Sequence, residues 1–341
     1  MDRMKGIVLS GHGGLEMLEW REDLPRPVPG PGEVLIRLGG AAVNNTDVNT
    51  RLAWYSKGDG EAADATWSGK PLEFPHIQGA DGCGEVVEVG AGVDAGLIGK
   101  RVLIEPCLRE VAGQPVEPFW YIGSETPGTF AEYTTVAARH AHVIESDLSD
   151  VELASFACSY STAENMIVRT GALSGERAIV TGASGGVGSA AVQLLVARGV
   201  EVTAVTSLSK VAALRALGAA HCLDRTDAPE PNSYDLAIDL AGGPGWPGLI
   251  AALKSGGRYA VSGAVAGAEV PLDLRDLYLN DLSFFGCTRL GDGVFAGLVR
   301  WIESGKIKPL VAETFDLKDI RAAQSAFLER GHIGKIGLRI P

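Results

Sequence analysis

The sequence predicts an α/β chain made of a parallel, doubly wound sheet and a separate β-rich domain, on three observations. The segment Arg177 to Arg198, RAIVTGASGGVGSAAVQLLVAR, passes from a β-branched run through a knot of small residues into an amphipathic helix. A buried parallel strand reads as a near-continuous apolar run such as Ala178-Ile179-Val180. From Val151 onward, strand patterns at Ala178–Val180, Val202–Thr206, Leu236–Leu240 and Arg258–Ser262 alternate with helical ones, as a parallel sheet requires. Residues 1 to about 150 instead hold short strands separated by Gly and Pro, the pattern of a compact barrel or sandwich.

In chain order, Ile7-Val8-Leu9 opens a strand directly after Met1–Gly6, with no apolar core or small-residue cleavage site of a signal peptide, so a cytoplasmic location is expected. Pro25, Pro27, Pro29 and Pro31, with Gly30 and Gly32, precede a strand pattern at Glu33–Leu38, and Gly84–Gly90 reads likewise. Two long segments, Ser56–Leu72 and Arg109–Thr129, show neither period but carry Trp67 and Phe119, Trp120 and Tyr121. They are expected to be partly ordered flaps near a cleft, the alternative being disordered surface insertions. Val151–Thr170 reads as a helix, as does Val294–Ser304, and the strand patterns Val311–Phe315 and Ile336–Ile340 are expected to return to the first domain. The resulting division is 1–150, 151–288 and 289–341.

The small-residue knot is a phosphate-binding turn. Gly182, Gly185, Gly186 and Gly188 remove the side chains that would hold a backbone away from a pyrophosphate, and the following helix points its N-terminus at the anion. The second strand, Glu201–Thr206, arrives where a βαβ unit needs it, so Ala183, Ser184, Gly185, Gly186, Val187 and Gly188 are expected to bind a dinucleotide. An NAD site places an acid on the ribose about 20 residues past the glycines. Here Val205–Lys210 has no carboxylate, and between Gly188 and Asp224 the one acid, Glu201, stands at the strand's start. Thr206, Ser207 and Lys210 suit a 2′-phosphate, so NADP(H) is favoured over NAD(H). Lys210 also reads as a solvated lysine at a helix start.

A length of 341 residues suggests two domains, and 46% hydrophobic with 21% charged residues describes a soluble protein. No apolar run approaches the roughly 18 residues of a membrane span. The formal charge of −12 argues against nucleic acid or an anionic membrane as partner. Cys83, Cys107, Cys158, Cys222 and Cys287 include no Cys-x-x-Cys pair, which fits reduced thiols.

The ordered motifs GEVLIR, AAVNNTD, FPHIQGADGCGEVVEVG, GTFAEY, GASGGVG, LGA and LAGG resemble the medium-chain dehydrogenase/reductase superfamily, in its zinc-free, quinone oxidoreductase-like branch. The resemblance implies a GroES-like β-rich catalytic domain, a Rossmann domain inserted before the last segment, and a nicotinamide cleft between them. Zinc-dependent members carry a Cys at the position of Asn44, a His at that of Ala80 and a Cys at that of Cys158. Here one of the three survives, and Asp81, where those enzymes have a Glu, makes at most a second ligand, so no zinc is expected. The resemblance places Asn44 and Thr46 at the nicotinamide, and Tyr55, with Tyr160 as a second phenol, where a hydroxyl reaches a substrate carbonyl. Thr46 as a helix cap and Tyr55 as a packed aromatic are the rival readings. Thr162, Ala241, Gly263 and Ala264 follow as cofactor contacts. Cys158 reads most simply as a buried small residue, and otherwise as an oxidisable thiol. His140 and His142 share a strand face without implying metal.

The expected function is hydride transfer from NADPH to a carbonyl, enone or quinone, a small-molecule electrophile, without catalytic zinc. Two alternatives stand: a zinc-dependent alcohol dehydrogenase and a non-catalytic NADPH-binding sensor or structural protein. A homodimer is expected, with Arg275–Thr288 as the pairing segment.

Overall fold

The computed structural model describes residues 2–56, 66 and 71–341. Most of the Ser56–Leu72 segment, Trp67 included, lies outside them. The chain divides into two compact units, Met1–Cys158 with Pro309–Pro341, and Ser159–Lys308.

In the first unit, the central strand Glu33–Ala42 pairs antiparallel with Asp81–Val89 on one side and with Lys335–Arg339 and Tyr133–Ala137 on the other. Arg101–Ile104 and Ala141–Val143 extend the sheet beyond Asp81–Val89, and Val311–Asp316 lies parallel to Lys335–Arg339 at the opposite edge. Val34, Ile36, Leu38, Val86, Val102, Ile104, Phe130, Ile336 and Leu338 fill one apolar core. Register decides what meets what at the end of the central strand: Ala42 lies opposite both Asp81 and Gly337. Residues 43–44, 81 and 335 therefore converge, although 291 positions separate Asn44 from Lys335. The helix Asp150–Ala154 lies so close to Gly40 that a Cβ there would stand 2.4 Å from the Asp150 backbone, which keeps residues past 150 in this unit.

The Arg109–Thr129 segment departs from its expected irregularity. Cys107–Val111 and Gln114–Tyr121 form a hairpin joined by Ala112 and Gly113, both in the left-handed region at φ 50° and 71°. That is the backbone of a two-residue hairpin turn. An Ala in its first place gives no turn signal, and Pro115 and Pro118 mask the strand.

In the second unit, six parallel strands run in the spatial order His221–Asp224, Glu201–Thr206, Arg177–Val180, Tyr234–Asp239, Leu253–Val261, Ser283–Gly286. Numbered along the chain this is 3-2-1-4-5-6, the doubly wound dinucleotide-binding arrangement, with its switch point beside Arg177–Val180. The helix Val294–Glu303 belongs here and not to the returning segment. It buries Val294, Phe295, Leu298, Val299 and Ile302, and Asn165 ties its approach by donating to the Arg289 carbonyl at 3.1 Å and accepting from Gly291 N at 3.2 Å. Among the described residues no helix is long and apolar enough to cross a membrane.

His140 and His142 meet on a carboxylate. Glu105 Oε2 lies 3.4 Å from His140 Nδ1 and 3.1 Å from His142 Nε2. Burial raises the Glu105 pKa, but the two imidazole hydrogen bonds outweigh it and hold the group at about 2. His76 is buried, and desolvation lowers its pKa from 6.5 to about 4 against a hydrogen bond with the Gly123 backbone. The unfolded chain therefore binds the His76 proton first as acid is added, so stability present above pH 6.5 is lost as the pH falls toward 4. The loss is about 3 kcal/mol at most. Urea titrations across that window are expected to show this slope in the wild type, and His76→Phe to flatten it; an unchanged slope in the variant refutes the assignment.

Candidate active site

The dinucleotide-binding turn is built as its sequence requires. Gly182 follows the strand Arg177–Val180 at φ 58°, Gly185 N donates to Gly182 O at 3.0 Å, and the helix Gly186–Ala197 starts at once. Its first-turn N–H groups point outward, where an anion is favoured. Ser184, Gly186 and Val187 are half-buried and Gly185 is exposed, while Ala183 and Gly188 face inward. A Cβ on Gly188 would stand 2.2 Å from Gly182 O, so only glycine lets helix and turn meet.

Beside the turn, Asp239 Oδ1 accepts from Thr181 Oγ1 at 2.5 Å and from the Ala241 and Gly242 amides at 2.9 and 3.1 Å. These bonds shape the loop that follows Tyr234–Asp239. Ala241 O accepts from Ala266 N, and Gly263 packs on Leu240, where a Cβ would come within 2.8 Å of a carbonyl oxygen. Both Ala241 backbone groups are thus spent on the loop, while Gly263, Ala264 and Thr162 are half-buried.

At the end of Glu201–Thr206, Thr206 Oγ1 is buried with no hydrogen-bond partner among the described residues, an orphaned polar atom at the adenosine end of such a site. Ser207 and Ser209 share a hydroxyl contact at 3.3 Å. The Lys210 pKa is lowered, first by burial and then by the charge of Arg225. Arg225 follows the third strand and was not legible from the glycine spacing, because it lies beyond the βαβ unit. Orphaned hydroxyl, open glycine turn and paired cations fit a nicotinamide dinucleotide.

In the first unit Asn44 caps the helix Asn45–Arg51, so Thr46 is its second residue and not its cap. Thr46 and Tyr55 share a hydrogen bond, and Asn49 Nδ2 donates to the Tyr55 hydroxyl at 3.4 Å. Burial pushes the Tyr55 pKa up to about 12, so the phenol keeps its proton. Tyr55 is half-buried and packs edge-on against exposed Trp54.

In the same unit Asn44 is the hub of a polar cluster. Its Nδ2 donates to Asp81 Oδ2 at 2.9 Å and to Ala42 O at 3.3 Å, and its Oδ1 accepts from Lys335 Nζ. Asp81 Oδ1 accepts from Cys158 N at 2.6 Å, and Oδ2 lies 2.8 Å from Lys335 Nζ. Asp47 accepts from Asn44 N at 2.7 Å, and burial raises its pKa to about 7. Lys335 was missed because its sequence neighbourhood, GKIGLRI, reads as an ordinary strand.

Tyr160 belongs to the second unit. Its hydroxyl donates to Lys308 O at 2.8 Å and accepts from Gln193 Nε2 at 2.9 Å, which makes it a strut inside the second unit. Cys158 meets the Tyr121 hydroxyl at 3.2 Å, and burial first, then Asp81, push its pKa up to about 12. A thiol so protonated is a poor nucleophile and a poor target for oxidation.

The donor set does not fit a catalytic zinc. Ala80 has no ligating atom and the Asn44 amide is spent on Lys335 and Asp81, which leaves Cys158 alone of the three positions where three protein ligands are needed. Among the described residues no group of three or more His, Cys, Asp or Glu side chains is placed to hold a metal.

Comparison with known proteins agrees with this architecture. Residues 30–146 match the alcohol dehydrogenase GroES-like domain, and residues 186–304 match the zinc-binding dehydrogenase domain. The chain is 30% identical to an NADPH-dependent alkenal/one oxidoreductase of Arabidopsis thaliana, over 98% of its own length and 78% of the relative's. It is 26% identical to a quinone oxidoreductase of Rattus norvegicus, over 98% and 97%. The crystal structure of a candidate alcohol dehydrogenase from Sinorhizobium meliloti 1021 superposes with a TM-score of 0.92 at 39% identity, covering 100% of this chain and 98% of the other. With a glycine turn shaped for a dinucleotide, a strand order of 3-2-1-4-5-6 and relatives that match it almost end to end, this chain is an oxidoreductase of the medium-chain dehydrogenase/reductase superfamily, in its quinone oxidoreductase-like branch.

Proposed function

We propose that this chain is an NADPH-dependent reductase of small conjugated carbonyl compounds, enones and enals foremost and quinones or aldehydes by the same chemistry, working without catalytic zinc. The observation that carries the reading is the protonated Tyr55 phenol held by Thr46 and Asn49, beside a cluster whose metal-ligand positions have become a hydrogen-bonded scaffold. Bound NADPH supplies a hydride to the electrophilic carbon. The chain's own residues then stabilise negative charge growing on the substrate oxygen: Tyr55 donates a hydrogen bond to it, and Thr46 orients the phenol. The phenol keeps its proton and bonds the enolate oxygen, and the proton that completes the reduction comes from water.

The alkenal/one activity named for the Arabidopsis relative supports the substrate class, and its NADPH dependence supports the cofactor. Purified protein treated with a chelator is expected to consume NADPH with an enal or enone at an undiminished rate. Loss of turnover on chelation with rescue by zinc establishes the alcohol dehydrogenase instead, and tight NADPH binding without consumption establishes a sensor.

Lys210 and Arg225 account for the choice of NADP(H). In the double variant Lys210→Ala/Arg225→Ala, NADPH binding is expected to weaken about 100-fold and NADH binding to change less than about threefold. Equal losses for both cofactors, measured by fluorescence titration, refute the assignment.

The edge strand Ser283–Gly286 and the exposed Leu274, Tyr278 and Leu279 before it suit pairing of two copies as a homodimer, which sedimentation equilibrium tests. Five cysteines, none in a disulfide among the described residues, suit a reducing compartment such as the cytoplasm.

A further inference from the structure

Lys335 is 2% exposed and its ammonium meets three acceptors from two other chain segments: Val43 O at 2.8 Å and Asn44 Oδ1 in one, and Asp81 Oδ2 at 2.8 Å in the other. A lysine has three N–H donors, so the set is complete. Asp81 carries the tie onward to Cys158 N, and Thr129 Oγ1 holds the Asp81 carbonyl at 2.5 Å. Stability alone does not require such a group, because replacing a buried ion pair with neutral side chains is often neutral or stabilising. What neutral packing does not reproduce is one rigid point where three acceptors must stand at fixed distances. Two of those acceptors, Val43 and Asn44, lead directly into the helix turn that carries Thr46.

We propose that Lys335 is a positioning residue for the reduction: its ammonium clamps Val43, Asn44 and Asp81, and so fixes the Thr46 turn and the Tyr55 phenol bonded to it. A cation attached to the chain thereby organises strand ends in which the donors for a metal ion are lacking. The inference rests on the reductase reading, since it assigns Tyr55 the substrate oxygen.

The test is the double variant Asp81→Asn/Lys335→Met, which removes both partners of the buried ion pair together; Asp47, whose charged form Lys335 also favours, keeps its hydrogen bond from Asn44 N. Binding of NADPH to the second unit, measured by fluorescence, reports folding and is expected to stay within about twofold of wild type. With misplacement of the donors, kcat for the enone is expected to fall about 100-fold while KM moves less than about threefold. Hydrogen exchange is expected to show lost protection confined to the peptide covering residues 43–55. A kcat within about threefold of wild type, with that peptide's protection unchanged, overturns the proposal. Should the methionine variant not fold, Asp81→Asn/Lys335→Gln takes the same readings, since an amide brings two donors to three acceptors. A wild-type protein that consumes no NADPH with any electrophile refutes the reductase, and the exchange experiment then still decides whether Lys335 holds the turn.

Discussion

Tyr55→Phe is expected to lower kcat for enone reduction by about 100- to 1000-fold while leaving NADPH affinity unchanged, the size of effect seen when one preorganised donor to a developing oxyanion is removed. The substitution deletes one oxygen and keeps the ring that packs edge-on against Trp54. Its hydroxyl partners, Thr46 and Asn49, are half-buried on the helix Asn45–Arg51 and lose one hydrogen bond each. Thr46→Val is expected to reproduce a smaller part of the loss, because it frees the phenol to rotate without removing it. Steady-state kinetics at saturating NADPH separate the two. A Tyr55→Phe enzyme with wild-type kcat sinks the assignment and returns Tyr55 to packing. Because burial already holds the phenol near 12, the pH profile between 6 and 9 is expected not to carry a tyrosine ionisation.

The second large effect concerns the glycine turn. A Cβ on Gly188 would meet Gly182 O at 2.2 Å and Ala183 Cα at 2.7 Å, both backbone atoms with no freedom to retreat. Gly188→Val is therefore expected to push the helix Gly186–Ala197 off the strand, destabilising the second unit by about 1–3 kcal/mol or more and abolishing measurable NADPH binding. Gly185→Ala makes the contrast. Its nearest neighbour to a new Cβ is Gly182 O at 3.5 Å, an ordinary contact, so the protein is expected to melt as the wild type does while losing affinity for the pyrophosphate. Calorimetric melting and NADPH titration of the two variants distinguish a packing glycine from a ligand-approach glycine. Gly188→Val with normal affinity contradicts this reading of the turn.

The second unit was largely legible along the chain because its information is local. A β-branched run, a glycine knot and an amphipathic helix follow one another within 22 residues, and each declares itself by period or by turn chemistry. Its outer strands were harder. His221–Asp224 is short and lies exposed to half-buried along its length, so no apolar alternation marked it. The hairpin at Cys107–Tyr121 was hidden for another reason: an alanine occupies a left-handed turn position that tertiary packing imposes on it. Arg225 and Lys210 become one cationic site because the parallel pairing of Glu201–Thr206 with His221–Asp224 brings the two strand ends together.

The order of motifs determined the superfamily, the glycine turn and the residue types that stand at 44, 80 and 158, since each follows from residue type at a given spacing. Only the tertiary structure decided which of the polar groups are spent. It committed Asn44 to Asp81 and Lys335, turned Tyr160 into a strut on Lys308, and paired Tyr55 with Thr46. The physical reason is that a hydrogen bond between positions hundreds of residues apart is set by strand register, and register depends on which face of a sheet is buried, a property of the assembled core and not of any one segment.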